Sequence, residues 1–412
     1  MYVIPFWSYR YIEGGYFITN QLTRQKRFFS DVAVNVLESS YAGEMTSARA
    51  VDEDDILAAA KEMHILFDSE EQADLWRTEL ERQWFHEFPL IDQIELTNRC
   101  PYSCKMCPRT LAMDRALGNM PLDLFEGIIK QVVGEQTYMG LHHFGESLVH
   151  PGLPDAITIA LEHGVRSGIS CNPPSLSPKL SKRLLDAQIA TMLFSFDSLD
   201  PDTYREIRGQ AAKFEKGDAN LREFIRLRDE GDYATFTTLQ MISMHCNEGE
   251  ADRFLDYCRD VGVDYGVVIR LGRWDFDDSY VRQLGDYTSR GYTGYCSRPW
   301  SSVVVLWNGL VVPCCHDYNG QVVLGDLKEQ GLSDIWRSTK AKQFRLDNYV
   351  SLLCQQCGYS RWYREQQRGK EGFRRFHEER GSQGSRKEWI NPRSTERLNG
   401  RKLFDGFDVL TD

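Results

Sequence analysis

A chain of 412 residues with 42% apolar content has room for roughly two to three domains and material for a buried core. The net charge of −11 argues against nucleic acid or an anionic membrane as a partner. No run of about eighteen apolar residues occurs, and the opening MYVIPFWSYRY has neither a basic segment nor a small-residue cleavage site, so the chain reads as cytoplasmic.

Residues 1–85 open with three short β-leaning runs, Tyr9 to Ile12, Tyr16 to Thr19 and Arg27 to Phe29, with turn signals at Gly14-Gly15 and Asn20-Gln21. Helices are expected from Ser30 or Asp31, from near Asp52 and from about Glu70, the last carrying Trp76 and Trp84 as packing residues. Small strands followed by helices predict a winged-helix-like α+β unit. From 88 to 290, short apolar runs alternate with longer amphipathic ones. Candidate strands are Ile91 to Leu96, Gly140 to Phe144, Val165 to Ser170, Thr191 to Ser195, Thr237 to Ser243 and Val267 to Leu271, with helices between them. About six βα repeats predict an α/β fold around a parallel sheet, whose reactive groups belong at the strands' C-terminal ends.

The first strand runs directly into Cys100, Cys104 and Cys107, three thiols at the spacing Cys-x3-Cys-x2-Cys. Eleven cysteines at clustered spacings in a long chain point to metal rather than disulfides. Zinc sites normally close with four Cys or His ligands in paired spacings, and no second pair follows nearby. A [4Fe–4S] cluster also takes four ligands, so a local set of three either borrows a fourth from elsewhere in the chain or leaves one iron open for a small chelating molecule. Further on, Cys296 precedes a hairpin with an Asn308-Gly309 turn, closed by Cys314-Cys315, and Cys354-x2-Cys357 follows. From Tyr359 the chain is highly charged. Helical spacing to about Arg380, a flexible link at GSQGSRKEW and an apolar LFDGFDVL complete a tail, 366–412, to which no chemistry is assigned.

The three-cysteine spacing, with Met106 before and Pro108-Arg109 after the last cysteine, resembles the radical S-adenosylmethionine (SAM) superfamily. The resemblance implies a partial (β/α)6 barrel over 88–290, with Cys100, Cys104 and Cys107 holding a [4Fe–4S] cluster whose open iron binds SAM. Reductive cleavage of SAM then yields a 5′-deoxyadenosyl radical that abstracts a C–H hydrogen. His142-His143-Phe144-Gly145-Glu146 is similar to the superfamily's glycine-glycine-glutamate motif, with Phe144 in place of the first glycine. Gly145 and Glu146 are thereby expected at the SAM ammonium. Asn172 and Ser195 resemble SAM-contacting positions, and Arg270 is a candidate for the SAM carboxylate. Arg205 to Gly209 matches a common phrase of the superfamily. His142 and His143 are candidates for the substrate side of the pocket.

Cys296, Cys314, Cys354 and Cys357 resemble the SPASM-related, or twitch, domain over 291–365, a β-hairpin plus helices holding a second, fully ligated [4Fe–4S] cluster. Which of Cys314 and Cys315 ligates stays open. Four thiols remain, Cys171, Cys246, Cys258 and Cys315, and Cys246, just past a barrel strand, is the first candidate for a hydrogen donor to a substrate radical. Residues 1–85, with GGYFITNQLT, resemble the peptide-recognition domain related to the pyrroloquinoline-quinone peptide chaperone, which adds a leader peptide to a sheet edge; a structural cap is the other reading. The resemblance implies a maturase of a ribosomally made peptide, or a dehydrogenase or epimerase of an aminocyclitol or sugar. An iron–sulfur scaffold or redox sensor is the non-enzymatic rival. A reducing partner such as flavodoxin or ferredoxin is implied, and neither nucleic acid nor membrane.

Overall fold

The computed structural model describes residues 2–3, 7–12, 15–20, 23, 25–29, 51–272, 274, 278–285, 287–288, 296, 298–347, 351–357 and 387–391. The expected helix from Ser30 or Asp31, the helical spacing to Arg380 and LFDGFDVL lie outside them. The chain divides into two compact units, one of residues 1–87, 289–301 and 339–383, the other of 88–288, 302–338 and 384–412.

In the first unit, β1 (Tyr2–Val3) pairs antiparallel with β5 (Leu66–Phe67), while β2 (Trp7–Ile12), β3 (Gly15–Asn20) and β4 (Lys26–Phe29) form an antiparallel sheet in that order. The expected runs are therefore strands, each one or two residues longer than predicted. Helices Val51–Glu62 and Glu70–Trp84 follow. Asn20, at the end of β3, is buried and donates through Nδ2 to the Met63 carbonyl at 2.7 Å, tying the small sheet to the first of these helices. Trp76 stacks on His64 and packs with Phe67, Ala73 and Trp300, a packing role as expected.

The second unit is built on six parallel strands, β6 (Leu90–Ile94), β7 (Tyr138–Gly140), β8 (Arg166–Cys171), β9 (Thr191–Ser195), β10 (Phe236–Ser243) and β11 (Tyr265–Gly272), adjacent in chain order. Helices Leu122–Gln131, Leu153–Glu162, Pro178–Asp186, Phe214–Glu230 and Ala251–Val261 connect them. The result is an open α/β sheet of the partial-barrel kind.

Registered neighbours share a face of a sheet. Ile169, Met192, Phe194, Leu239 and Met241 are buried, and Phe194 meets Phe224 of a connecting helix edge-on, which makes theirs the helix-covered face. On the opposite face Gln93, Ser170, Thr191, Ser195, Thr238 and Gln240 are only half-buried. A closed barrel fills this side with branched apolar residues. Here polar positions alternate with apolar ones, Leu193 registered with Thr238 and Val267 with Gln240.

Both sheet edges are covered, in ways the sequence did not announce. The predicted Asn308-Gly309 hairpin forms as β13 (Ser302–Val305) and β14 (Leu310–Val312), with Gly309 at φ 86°, and β15 (Gly325–Asp326) extends it. β13 lies parallel against β6, so the hairpin continues the barrel sheet. At the other edge a short β12 (Tyr287–Thr288) pairs with the end of β11, and β16 (Lys387–Ile390) runs antiparallel to its beginning. By sequence Lys387, Glu388 and Trp389 belong to the expected flexible link. They are a strand, held by Tyr265 Oη donating to Glu388 at 2.6 Å and by Lys387 bonding Asp252 at 2.7 Å.

Candidate functional site

The loop after β6 is stapled before it reaches its cysteines. Asn98, fully buried, donates to the Ala116 carbonyl at 2.9 Å and accepts the Gly118 N–H at 2.8 Å, closing the loop on itself. A side chain at Gly118 would collide with the Trp307 ring at 2.4 Å, so the hairpin presses on this loop as well. Within the loop the Cys107 N–H donates to the Cys104 carbonyl, and a short helix, Pro108–Leu111, starts at Cys107. Cys104 is buried and its two companions half-buried. Burial pushes the Cys100 thiol up to about 12 and Cys104 to about 11, with neighbouring thiols adding to both. Such a set fits an iron–sulfur cluster: thiols that hold their protons in the bare protein surrender them to a metal cation.

The predicted Gly-Glu element begins with a correction. β7 ends at Gly140, so His142 to Glu146 form an irregular loop rather than the end of a strand. That loop packs on the segment leading into Cys100. The Glu146 N–H donates to the Arg99 carbonyl at 2.8 Å. Gly145 has φ 121°, and a Cβ there would sit 2.2 Å from the Thr97 carbonyl oxygen, so only glycine permits the approach.

Glu146 is fully buried; its Oε2 accepts both the backbone N–H and the Nδ2 of Asn172 at 2.8 Å. Burial pushes its carboxyl up to about 7, against the pull of these hydrogen bonds. Asn172 Oδ1 in turn accepts from Arg208 at 2.5 Å. Arg208 is itself buried and paired with Asp197, Nε to Oδ2 at 2.7 Å, and its guanidinium lies 4.0 Å from the Cys104 sulfur. Asp197 is fixed by the Ile242 N–H at 2.9 Å and through its carbonyl by Asn247.

Glu146, Asn172, Arg208 and Asp197 therefore form one chain of contacts from the Gly-Glu loop to the cysteine loop. Arg208 was legible only as a letter in the Arg205 to Gly209 phrase. Its helix, Pro201–Arg208, is anchored to the cluster loop by Ser103 N–H to Arg208 O and Lys105 N–H to Ile207 O, and Gly209, at φ 88°, leaves room for Ser103.

The remaining candidates separate. Ser195 and Asn172 belong to the open face. Arg270 is paired with Ser243, three residues from Gln240 in β10, and so falls on the face opposite Ser195. Cys171 and Cys258 are buried, and a Cβ at Gly266 would come within 2.7 Å of the Cys258 sulfur, so Cys258 packs a helix against the sheet. Cys246 is exposed in the turn His245–Asn247 after β10, where its thiol feels Glu206 and Lys105. Cys315 is half-buried against Val304, Leu306 and Val312.

His143 lies between two walls: its Nε2 donates to the Cys315 carbonyl at 3.0 Å, and Nδ1 sits 3.5 Å from Glu95 Oε1. Glu95, fully buried, also holds Arg115 at 2.6 Å; burial would raise its carboxyl, yet His143 and Arg115 keep it below the ordinary range. Of the second cysteine set, Cys314 belongs to the barrel unit and Cys296, Cys354 and Cys357 to the other.

Comparison with known proteins agrees with this geometry. The radical SAM superfamily model matches residues 94–258, and the SPASM iron–sulfur cluster-binding domain matches 296–358. A PqqA peptide cyclase of Granulibacter bethesdensis is 30% identical over 306 residues, covering 64% of this chain and 78% of that protein. A tungsten-containing aldehyde ferredoxin oxidoreductase cofactor-modifying protein of Pyrococcus furiosus is 24% identical over 64% of this chain and 86% of its own. In fold, Streptococcus suis SuiB, solved with its precursor peptide SuiA, superposes with a TM-score of 0.52 at 14% identity, covering 87% of this chain and 93% of its own. A [4Fe–4S] cluster with SAM, and a second cluster in the SPASM domain, are the cofactors these matches carry. The chain belongs to the radical SAM superfamily, in the branch with a SPASM-type iron–sulfur domain.

Proposed function

We propose that this chain is a peptide maturase, which abstracts a C–H hydrogen from a ribosomally made peptide during natural-product maturation. The observation that carries the reading is the N-terminal antiparallel sheet β2-β3-β4, in which β2 and β4 are the outer strands among the described residues, an arrangement of the kind a leader peptide extends. The PqqA cyclase relative and the likeness to a precursor-binding fold support it.

When bound, the cluster and SAM supply an electron and a 5′-deoxyadenosyl radical. The protein's part is holding and shielding. Cys100, Cys104 and Cys107 would hold the cluster, and Gly145 would let backbone approach the SAM amino group. Glu146, kept buried by Asn172 and Leu148, offers an acceptor for that ammonium, and Arg208 brings a buried cation beside the cysteines. Ser195 lines the open face along which substrate enters. Cys296, Cys314, Cys354 and Cys357 would hold the auxiliary cluster, whose chemistry would be electron transfer for an oxidised product, and Cys246 would donate hydrogen for an epimer. Flavodoxin or ferredoxin supplies the first electron.

A second reading is dehydrogenation of an aminocyclitol, supported by the 21% identity to the 2-deoxy-scyllo-inosamine dehydrogenase of Niallia circulans over 86% of that protein. The test is incubation of the reconstituted full chain with reductant, SAM and candidate precursor peptides. Peptide altered in mass or stereochemistry, with matching 5′-deoxyadenosine, is expected. Unaltered peptide beside an oxidised aminocyclitol would transfer the assignment to the second reading.

A further inference from the structure

Cys314 and Cys315 are adjacent thiols, and the fold treats them differently. The Cys315 side chain packs on Val304, Leu306 and Val312 in the apolar core of the hairpin. Both peptide units that flank it are held. The carbonyl of Cys314, in the unit before it, accepts the Asp317 N–H at 3.2 Å; the carbonyl of Cys315, in the unit after it, accepts from His143 Nε2 at 3.0 Å. A residue with both neighbouring peptide planes fixed can aim its Cβ in one direction only. The Cys315 thiol is thereby committed to packing.

The two clamps have different origins. Asp317 belongs to the same loop and is buried, its carboxylate accepting the Gln321 and Val322 N–H groups at 2.7 and 2.8 Å. His143 comes instead from the loop of Gly145 and Glu146. Its side chain is 2% exposed, and its Nδ1 lies against Glu95. Glu95 grips Arg115 through both oxygens, at 2.6 and 2.9 Å, and accepts the Trp307 N–H at 3.3 Å. Arg115 in turn donates through Nε to the Tyr318 carbonyl. Glu95, Arg115 and His143 thus tie the loop after β6 to the Cys315 and Tyr318 backbone. A carbonyl only accepts, so the bond to Cys315 needs a donor at residue 143.

We propose that His143 is a positioning residue for the second cluster: its bond to the Cys315 carbonyl turns that thiol into the hairpin core and leaves Cys314 as the ligand. Partners of this kind orient metal ligands and tune the metal without touching it. The donor set Cys296, Cys314, Cys354 and Cys357 fits such a cluster, being four thiols of which none is in a disulfide. The proposal goes beyond the peptide reading, and none of its readouts uses a peptide.

The test uses the full chain in the Cys100/Cys104/Cys107→Ala background, reconstituted anaerobically so that only the second cluster loads. Iron content, the electron paramagnetic resonance signal of the reduced cluster and its midpoint potential are read. His143→Leu removes the donor, while His143→Gln keeps an N–H at a similar reach. His143→Leu is expected to load about four irons, as the background does, but to show two overlapping signals, one from each choice of thiol. Adding Cys315→Ala is expected to collapse them to one. His143→Gln is expected to keep the single signal and the potential of the background. Should His143→Leu fail to fold, His143→Phe, which keeps a ring beside Phe144 without the donor, carries the same expectations. A single unchanged signal on loss of the donor, two signals that survive Cys315→Ala, or a His143→Gln variant that behaves like His143→Leu would overturn the proposal. Loss of iron in Cys315→Ala alone would overturn it together with the assignment of Cys314, and would leave the peptide reading as it stands.

Discussion

Arg208 is the side chain on which the candidate site turns, since it joins Asn172, Asp197 and the Cys104 sulfur in one buried contact set. Arg208→Ala leaves Asp197 buried without its cation, a loss of about 3–5 kcal/mol. Urea unfolding is expected to show it, together with a fall of at least tenfold in 5′-deoxyadenosine formation; Arg208→Lys is expected to retain more stability than activity, because an ammonium cannot reach Asp197 and Asn172 in the same fork. At Gly145 a Cβ meets backbone rather than a flexible side chain, so Gly145→Ala is expected to abolish SAM cleavage in that assay while the iron content holds. His142 makes a pH prediction. Its pKa is lower folded than unfolded, so the unfolded chain takes the proton first and stability falls as pH drops from about 6.5 toward about 4. About 3 kcal/mol is at stake, and His142→Gln is expected to flatten that part of the stability curve. These residues were legible to very different degrees. Cys100, Gly145 and Glu146 sit in fixed short spacings, which a sequence displays. Arg208 and Gln93 act through partners in loops distant in sequence, and no local period marks them.

Among the secondary-structure elements, the parallel strands and the Asn308-Gly309 hairpin were readable because each carries its own signal, a run of apolar residues or a turn dipeptide that needs positive φ. The places where β13 and β16 attach were not. Both are pairings between distant segments, decided by which sheet edge needs a partner rather than by propensity. Lys387, Glu388 and Trp389 look like a linker for that reason: edge strands carry charge. Removing residues 387–412 uncovers the first half of β11, and the shortened chain is expected to melt lower and to scatter light on heating, where the full chain does not. The helix Phe214–Glu230 is secured by Arg228, whose guanidinium reaches Asp264 at 2.7 Å and Thr237 at 2.6 Å, all buried.

For the molecule as a whole, two clusters predict about eight irons per chain after anaerobic reconstitution and about four in a Cys100/Cys104/Cys107→Ala variant. Cys314→Ala and Cys315→Ala, compared side by side, are expected to differ, with only the first losing iron; loss in Cys315→Ala alone would assign the ligand to the second cysteine, and full iron in both would assign it to neither. The hairpin bearing these cysteines is also the sheet's neighbour to β6, and Trp307 at its turn fills the space above Gly118. That arrangement sets where chimeras between related enzymes can be cut. A graft exchanging everything after residue 291 would carry away a strand and a ring that the host's radical-generating loop was shaped around, so recombination breakpoints belong after Ser338, with the native hairpin retained.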